Sequence, residues 1–599
     1  MTVFRDRWNF LRLLRHSDPR ALAAIIAIGV LHAVFPAIGA ASVGLLISGV
    51  DADLTVPLVV FGAVFLLGQV SSLAFRWAKH LVVSGVNLRH RAEVARLAVG
   101  APTVDMIEPK ATQDLFKTAA ADPTEWVEKT PGDGAIGALR VIFEYVGLIS
   151  SAIVVSYWSF WLVPALIIPA LVTRRLATRL WVRHYRIWVD GIEHHRRYQY
   201  WGELTASRPE AKELRIFGLA DWIIGRHQHD MRAHLEPVWA DDRAMARAHW
   251  QQFAITLLPL GAIFGAVGFA TVANGTDVGM ASAALAAGWG IFTAASGVGP
   301  MMEMEGARPG LAAFAALKDS LDGKLVTRHM QPLSGTRAPH VRFEDVHFQY
   351  ENGASVTKGL DLEIRPDESL AVVGFNGAGK STLIKLLAGA YRPTAGIVTA
   401  DGRDIGEIDD WGSHLAVVFQ DFVKYRLTIA ENIALGRSGP VDEAALKSAI
   451  AESGLQALVD GLPAGEDTSL DASIDGGVDL SGGQWQQLAL ARALYAVKSG
   501  ARILVLDEPS AHLDVRTEQR LFDRLEQLTE PVTTILVSHR LATVRRADRI
   551  VLIDDGRVAE QGTHEELMSL NGTYARMYRL QAERFAAGFD DRLEEGAIV

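Results

Sequence analysis

Residues 374 to 382 read Gly374-Phe375-Asn376-Gly377-Ala378-Gly379-Lys380-Ser381-Thr382. The stretch fits the spacing G-x4-G-K-[ST]; it leaves a short run of buried-strand character at 369–374 and opens a segment of helical character. A loop of this kind works by electrostatics. Glycines let backbone amides curl around phosphate oxygens, the helix start adds its positive end, a lysine bridges the β- and γ-phosphates, and a hydroxyl ligates magnesium. Lys380 and Ser381 are the candidates for the last two roles. A chance glycine-rich turn would lack this strand-loop-helix setting. A second strand pattern at 502–506 ends in Asp507-Glu508. Beside a phosphate loop, the first acid is expected to hold the magnesium shell and the second to polarise an attacking water.

Further motifs stand in a consistent order around these two. Tyr350 closes a strand pattern at 341–350; Gln420 lies in Val417-Val418-Phe419-Gln420; Leu480-Ser481-Gly482-Gly483-Gln484 precedes the acidic strand; Asp514 follows in Ala511-His512-Leu513-Asp514, and His539 in Ser538-His539-Arg540. With these the region resembles the ATP-binding cassette family, whose signature motif is the stretch 480–484. The resemblance implies nucleotide contacts from Tyr350 (stacked on adenine), the loop 374–382, Ser481, Gly482, Gly483, Gln484 and Asp514. It implies catalytic roles for Glu508, His539 and Gln420, with magnesium held by Ser381, Gln420 and Asp507. It also implies that Ser481 and Gly483 face the γ-phosphate held by a different protomer, so that two cassettes close on two ATP molecules and the chain acts as a dimer. One departure stands out. Family exporters usually carry a glycine-glutamate pair just before the signature, and Ile474-Asp475 occupies those places here.

The rest of the chain has a different texture. Its 599 residues suit several folding units, and an apolar share of 49% against 21% charged, with a mean hydropathy of +0.15, fits part membrane and part soluble protein. A net charge of −10 gives no whole-chain reason to expect nucleic-acid binding. The chain has no cysteine, which excludes disulfides, thiolate metal sites and a cysteine nucleophile. It also removes exporters that carry an N-terminal cysteine peptidase, a domain for which the start of the chain leaves no room.

A hydrocarbon core needs about 20 residues of helix. Six uncharged runs are expected to span it: 21–50, 55–75, 146–157, 160–173, 253–275 and 280–302. The short loops at 51–54, 156–161 and 274–279 lack Lys and Arg, whereas the N-terminus and the connections 76–140 and 174–247 are rich in both. This charge bias sets both termini and the cassette in the cytosol of a cell-membrane protein. Few Gly or Pro interrupt the long connections, so they read as helical stalks. By family resemblance they end in coupling helices, with candidates at 105–116 and 208–218. Phe4, Trp8, Leu11 and Leu14 fall at helical spacing among arginines, which suits an amphipathic helix on the inner membrane surface.

The expected organisation is a lead-in helix at 1–20, an all-α six-helix transmembrane domain at 21–320 and a linker at 321–339. An α/β P-loop NTPase ATP-binding cassette domain follows at 340–583, with an acidic tail at 584–599. Other residues have blander readings. His194, His195, His227 and His229 read as a solvated stalk surface rather than a metal site. Arg140 and Glu144, four apart, read as an interfacial ion pair. Gly261 and Gly265, with the small residues of 281–290, read as close helix packing; the tryptophans read as membrane-interface residues. The layout implies an exporter-type half-transporter using ATP and magnesium, with a small molecule, lipid, natural product or mature peptide as cargo. The rivals are a subunit of a heterodimer, an exporter-shaped importer, a non-pumping ATP-gated channel or regulator, and a soluble cassette protein; the uncharged spans oppose the last.

Overall fold

The computed structural model describes residues 2–50, 54–121, 129–206, 208–321, 331–333, 337–350, 353–509, 532–538 and 544–586. Most of the expected linker, the end of the expected tail, Asp514 and His539 lie outside the described residues. The chain forms two compact units. One is Met1–Gly100 with Lys110–Asp322; the other is Ala101–Pro109 with Gly323–Val599.

The first unit is helical: α1 (Thr2–Leu13), α2 (Pro19–Ser48), α3 (Thr55–Val99), α4 (Lys110–Ala120), α5 (Pro131–Trp158), α6 (Leu162–Asp190), α7 (Ile192–Ala206), α8 (Arg208–Ile216), α9 (Ala220–Asn274), α10 (Val278–Ser296) and α11 (Gly299–Leu321). Local chemistry sets several starts. Asp18 accepts from the Arg20 amide with Pro19 at the first turn, Thr130 and Asp133 form a capping box ahead of Pro131, and Asp277 accepts from the Gly279 amide. Gly275, at φ 60°, ends α9 in the left-handed conformation glycine adopts without steric cost.

Among the described residues five helical stretches are long and apolar enough to cross a membrane: α2, α3, α5, α9 and α10 continuing into α11. The expected span 160–173 lies in α6, but its uncharged run stops at Arg174 and falls short of that length. The helices pack around several apolar centres, two of which lie among the long helices. One holds Ile25, Val82, Ile136 and Phe143; the other holds Val155, Leu166, Leu260 and Ile291.

Small residues set the closest approaches. A Cβ on Gly29 would lie 2.2 Å from the Phe143 ring, and one on Gly279 would lie 1.9 Å from Ser48 Oγ and 2.5 Å from the Gly44 carbonyl. The small residues of 281–290 pack as expected, with Ala281, Ala284, Ala287 and Gly290 buried. The Gly261–Gly265 pair does not, since a Cβ at either would meet nothing within 4 Å.

In the lead-in helix Trp8 is 56% exposed, while Phe10, 2% exposed, fits the space left by Gly134. Two further readings need correction. Arg140 does not pair with Glu144. Its Nη1 lies 3.1 Å from Glu303, and Glu144 pairs with Arg174 at 3.5 Å, because neighbouring helices offer nearer partners than the same helix. The histidines are not a uniformly solvated face. His195 and His234 are buried and the His195 ring lies tilted against Trp188 and His234, His194 bonds Asp230, and His227 bonds the Tyr198 carbonyl, since α7 folds back on α9; His229 is exposed. Among the described residues no cluster of three or more metal-ligating side chains forms.

The second unit is built on a six-stranded sheet, in the order Arg557–Gly562, Arg549–Asp554, Ser369–Val373, Thr533–Val537, Ile503–Asp507 and Leu415–Val418. All neighbours are parallel except the first pair. Leu370 to Val373 and Ile503 to Leu506 are fully buried, as expected of parallel strands covered on both faces. A four-stranded antiparallel sheet carries Val341–Gln349 and Ser355–Ile364. Helices Glu443–Ser453 and Gly482–Lys498 share an apolar core around Leu446, Leu488 and Tyr495. Ala101–Pro109 is part of this unit: the Val104 amide donates to the Ala390 carbonyl at 2.7 Å, and Tyr391 OH donates to Glu108 Oε2 at 2.5 Å.

Candidate nucleotide site

Parallel strands that end together present their following loops at one edge, where α/β sheets hold ligands. Here Val373 leads into the glycine loop, Asp507 into Glu508, Val418 into Gln420, and Val537 into Ser538. Val418 pairs with Leu506, and Asp507 with Val537, so these ends lie side by side. The topology thus gathers residues that stand far apart in the chain.

The glycine loop needs its glycines. Gly377 and Gly379 sit at φ 82° and 102°, where a side chain would be strained, and Gly379 caps the helix Lys380–Leu387. Lys380 is 7% exposed and its Nζ donates to the Gly374 and Phe375 carbonyls at 2.9 and 3.1 Å. Burial lowers its pKa, and Glu508 and Asp507 oppose that shift. The lysine is therefore stored inside the loop, folded onto carbonyls that offer no full negative charge.

Asp507 is 4% exposed. Burial, with the Glu508 and Asp421 carboxylates nearby, pushes it up to about 6, while a hydrogen bond from Ser381 and the Lys380 charge pull the other way. The buried Asp507 carboxylate beside the exposed Ser381 hydroxyl forms an oxygen donor set suited to a hard divalent cation, which would remove the electrostatic cost. Glu508 follows at φ 50°, with its amide donating to the Val537 carbonyl at 2.9 Å. That conformation costs a non-glycine residue about 1–3 kcal/mol and marks functional sites. Gln420 is exposed just beyond its strand.

Tyr350 is half-buried. Its hydroxyl lies 3.1 Å from Thr382 Oγ1, its ring meets Tyr391 edge-on at 5.8 Å, and Lys385 Nζ sits 5.7 Å from the ring centre. Ser481 caps the helix Gly482–Lys498 through a capping box: its amide donates to Gln484 Oε1 at 2.8 Å. Among the described residues neither Ser481 nor Gly483 hydrogen-bonds to the glycine loop. Three residues were not legible as participants. Gln486, 4% exposed, donates to the Pro509 carbonyl and ties the signature helix to the segment after Glu508. Asp421 acts on Asp507 across the strand ends, and its only sequence signal is its place directly after Gln420. Tyr391 links the Tyr350 cluster to Glu108, a contact no local pattern announces. Ile474, at the departing position before the signature, is 52% exposed.

Comparison with known proteins agrees with this geometry. Residues 357–511 match the family model described as ABC transporter. The chain is similar to proteins named ATP-dependent lipid A-core flippase. That of Chromohalobacter salexigens is 42% identical over 244 residues, covering 40% of this chain and 41% of the relative; that of Coxiella burnetii is 35% identical over 278 residues, covering 46% of each. The match thus spans less than half the length of these relatives. A solved structure of a bacterial Atm1-family ABC exporter with ATP bound superposes with a TM-score of 0.70 at 23% identity, over 94% of this chain and 98% of that one. Residues 357–511 thus form an ATP-binding cassette of the ABC transporter family, and the helical and sheet-bearing units together match the fold of a solved ABC exporter.

Proposed function

We propose that the chain is one subunit of a dimeric ATP-driven exporter whose two cassettes close on two ATP molecules and move the membrane helices between inward and outward openings. The observation that supports this best is the convergence of Lys380, Ser381, Asp507 and a strained Glu508 at one sheet edge, in a chain that also carries long apolar helices. In this reading residues 21–320 form six spans, α6 supplying the one of marginal length, and the cassette occupies 340–583 on the cytosolic side. Small molecules, lipids, natural products and mature peptides are its cargo classes; the flippase names of the relatives favour a lipid.

Each side chain has a task in this reading. Lys380 turns from its carbonyl partners to the β- and γ-phosphates, and Tyr350 offers a ring to the adenine. Ser381, Asp507 and Gln420 would hold magnesium, which when bound offsets phosphate charge and favours in-line attack. Glu508 orients and deprotonates the attacking water, and His539 contacts the γ-phosphate. Ser481, Gly483 and Asp514 of one subunit complete the site of the other.

The test is ATP hydrolysis by the purified chain in lipid vesicles, wild type beside Glu508→Gln, with the oligomeric state measured on the same sample. Hydrolysis by a homodimer that falls by about 100-fold or more in the variant, with ATP still bound, is expected. Undiminished turnover in Glu508→Gln would refute the assignment, and an inactive wild type would point to a missing partner chain or a non-pumping role. Lys380→Ala is expected to lose nucleotide binding instead.

A further inference from the structure

We propose that the cavity lined by α2, α3, α5 and α10 binds an amphipathic organic monoanion, with its acidic head at Arg76 and its apolar body along the helix walls. The proposal rests on the export reading and deepens it by naming the class of cargo. The cavity measures 720 Å³, within the roughly 300–1,000 Å³ typical of sites for drug-sized ligands.

Its lining is divided by chemistry. Arg76, Lys79 and Arg140 stand toward one end, and Ser151 and Gly290 toward the other. Arg140 and Ser151 lie on one helix about 16 Å apart at the rise of an α-helix. Between them Ala33, Pro36, Phe75 and Phe143 give the walls an apolar face, interrupted by the polar His32, Ser72, Glu144 and Thr293. Phe75 and Phe143 meet edge to face at 6.0 Å, and Gly29 keeps its helix flat against the Phe143 ring.

The ion pairs do not cancel. Lys79 and Arg140 converge on one carboxylate, Glu303, at 2.7 and 3.1 Å; Lys79 reaches Asp133 at 3.8 Å, and Arg174 pairs with Glu144 at 3.5 Å. Arg76 also lines the cavity, and among the described residues it has no carboxylate partner. Counting the partners outside the lining, Arg174, Asp133 and Glu303, four cations stand with three carboxylates, an excess of one positive charge at this end of the cavity. A neutral ligand would leave the excess, a cation would add to it, and a dianion would overshoot.

A second observation points to a ligand from the opposite wall. Ser151 is 1% exposed, and its Oγ has no hydrogen-bond partner among the described residues. Buried hydroxyls are nearly always satisfied, and a polar atom on the ligand body would satisfy this one. The acidic head could belong to a free organic anion or to an anionic lipid, which would make the same contacts.

The experiment is equilibrium binding of tritiated estrone sulfate, one negative charge on a rigid apolar body, to the full chain in phosphatidylcholine nanodiscs without nucleotide. Saturable binding is expected, displaced by unlabelled estrone sulfate and not by neutral estrone. Arg76→Gln should weaken it by about tenfold or more, the scale of one charge-assisted contact, whereas Arg76→Lys should retain most of it. Arg76 is exposed, so its replacement leaves the helix packing intact; Ser151→Ala gives an independent, smaller loss from the other wall. Phosphatidylglycerol added to the discs distinguishes the sources. Competition assigns the site to a lipid headgroup and indifference assigns it to a free anion, and either supports the class. Equal displacement by estrone, unchanged affinity in Arg76→Gln, or no saturable binding to the wild type would overturn the proposal. A chain that hydrolyses ATP but fails this test loses the anion site and keeps its motor; one that binds the anion without hydrolysing ATP loses the motor and keeps the site.

Discussion

Glu508 at φ 50° and its neighbour Asp507, pushed up to about 6, are two adjacent residues held away from their preferred states. Each gives a prediction that needs no nucleotide. Glu508→Gly and Glu508→Ala remove the same carboxylate, but only glycine removes the backbone strain. The glycine variant is therefore expected to be more stable than the alanine variant by about 1 kcal/mol, the reverse of the usual order, and thermal unfolding of the two side by side measures it. For Asp507, burial raises the folded pKa above the unfolded one, so the folded state favours the proton. The stabilising contribution is fully present below about pH 4 and is lost as pH rises through about 6. At pH 7.5 the ionised carboxylate costs the nucleotide-free protein about 3 kcal/mol. Asp507→Asn should thus stabilise the nucleotide-free chain at pH 7.5 and not at pH 4. Unfolding at the two pH values decides it, and an equal effect at both would remove burial as the cause.

At the scale of elements, close contacts between backbone segments carry more than side-chain pattern reveals. Gly279 packs its helix α10 against α2 with no room for a Cβ. Gly279→Ala is expected to destabilise the protein by about 1–3 kcal/mol, the cost of overpacking, while Gly261→Ala, in open surroundings, should leave the melting temperature of the solubilised chain unchanged. In the second unit, Tyr391→Phe keeps the ring against Tyr350 but removes the hydroxyl that Glu108 accepts. Loss of that bond should loosen 101–109 by about 1 kcal/mol, read as faster hydrogen exchange at the Val104 amide, with ATP affinity retained. Equal exchange in both proteins would make the bond incidental. These cases show what sequence could and could not reveal. The loop 374–382 and Asp507-Glu508 were legible because phosphate chemistry demands particular residues at particular spacings, and 480–484 only through its resemblance to the family's signature. The uncharged runs of α2 and α3 were legible because a bilayer demands length. Arg140's partner, Phe10's burial and the Gly279 contact depend on which helices become neighbours, and a local period cannot encode that. Gly261 and Gly265 show the converse, a packing motif that finds no partner among the described residues.

At the scale of the whole molecule, the question is whether one chain can build a working site. Ser481 and Gln484 spend their polar groups on their own helix cap, and among the described residues neither Ser481 nor Gly483 bonds the glycine loop. If the site is completed by a second subunit, defects in the loop and in the signature should complement one another across chains. In a Glu508→Gln background, one chain would carry Lys380→Ala and the other Ser481→Arg, and each alone should trap no ATP, since every site in either homodimer has one damaged half. In a mixed dimer both defects fall in one site, because the damaged loop of the first chain faces the damaged signature of the second. The other site is then assembled from two intact halves. A purified mixed dimer, selected by different tags on the two chains, is therefore expected to trap about one ATP per dimer, a consequence of pairing unlike faces under two-fold symmetry. A signature serving its own loop would instead leave one defect in each site and trap none. The count of nucleotides retained per tagged dimer separates a shared site from a self-contained one.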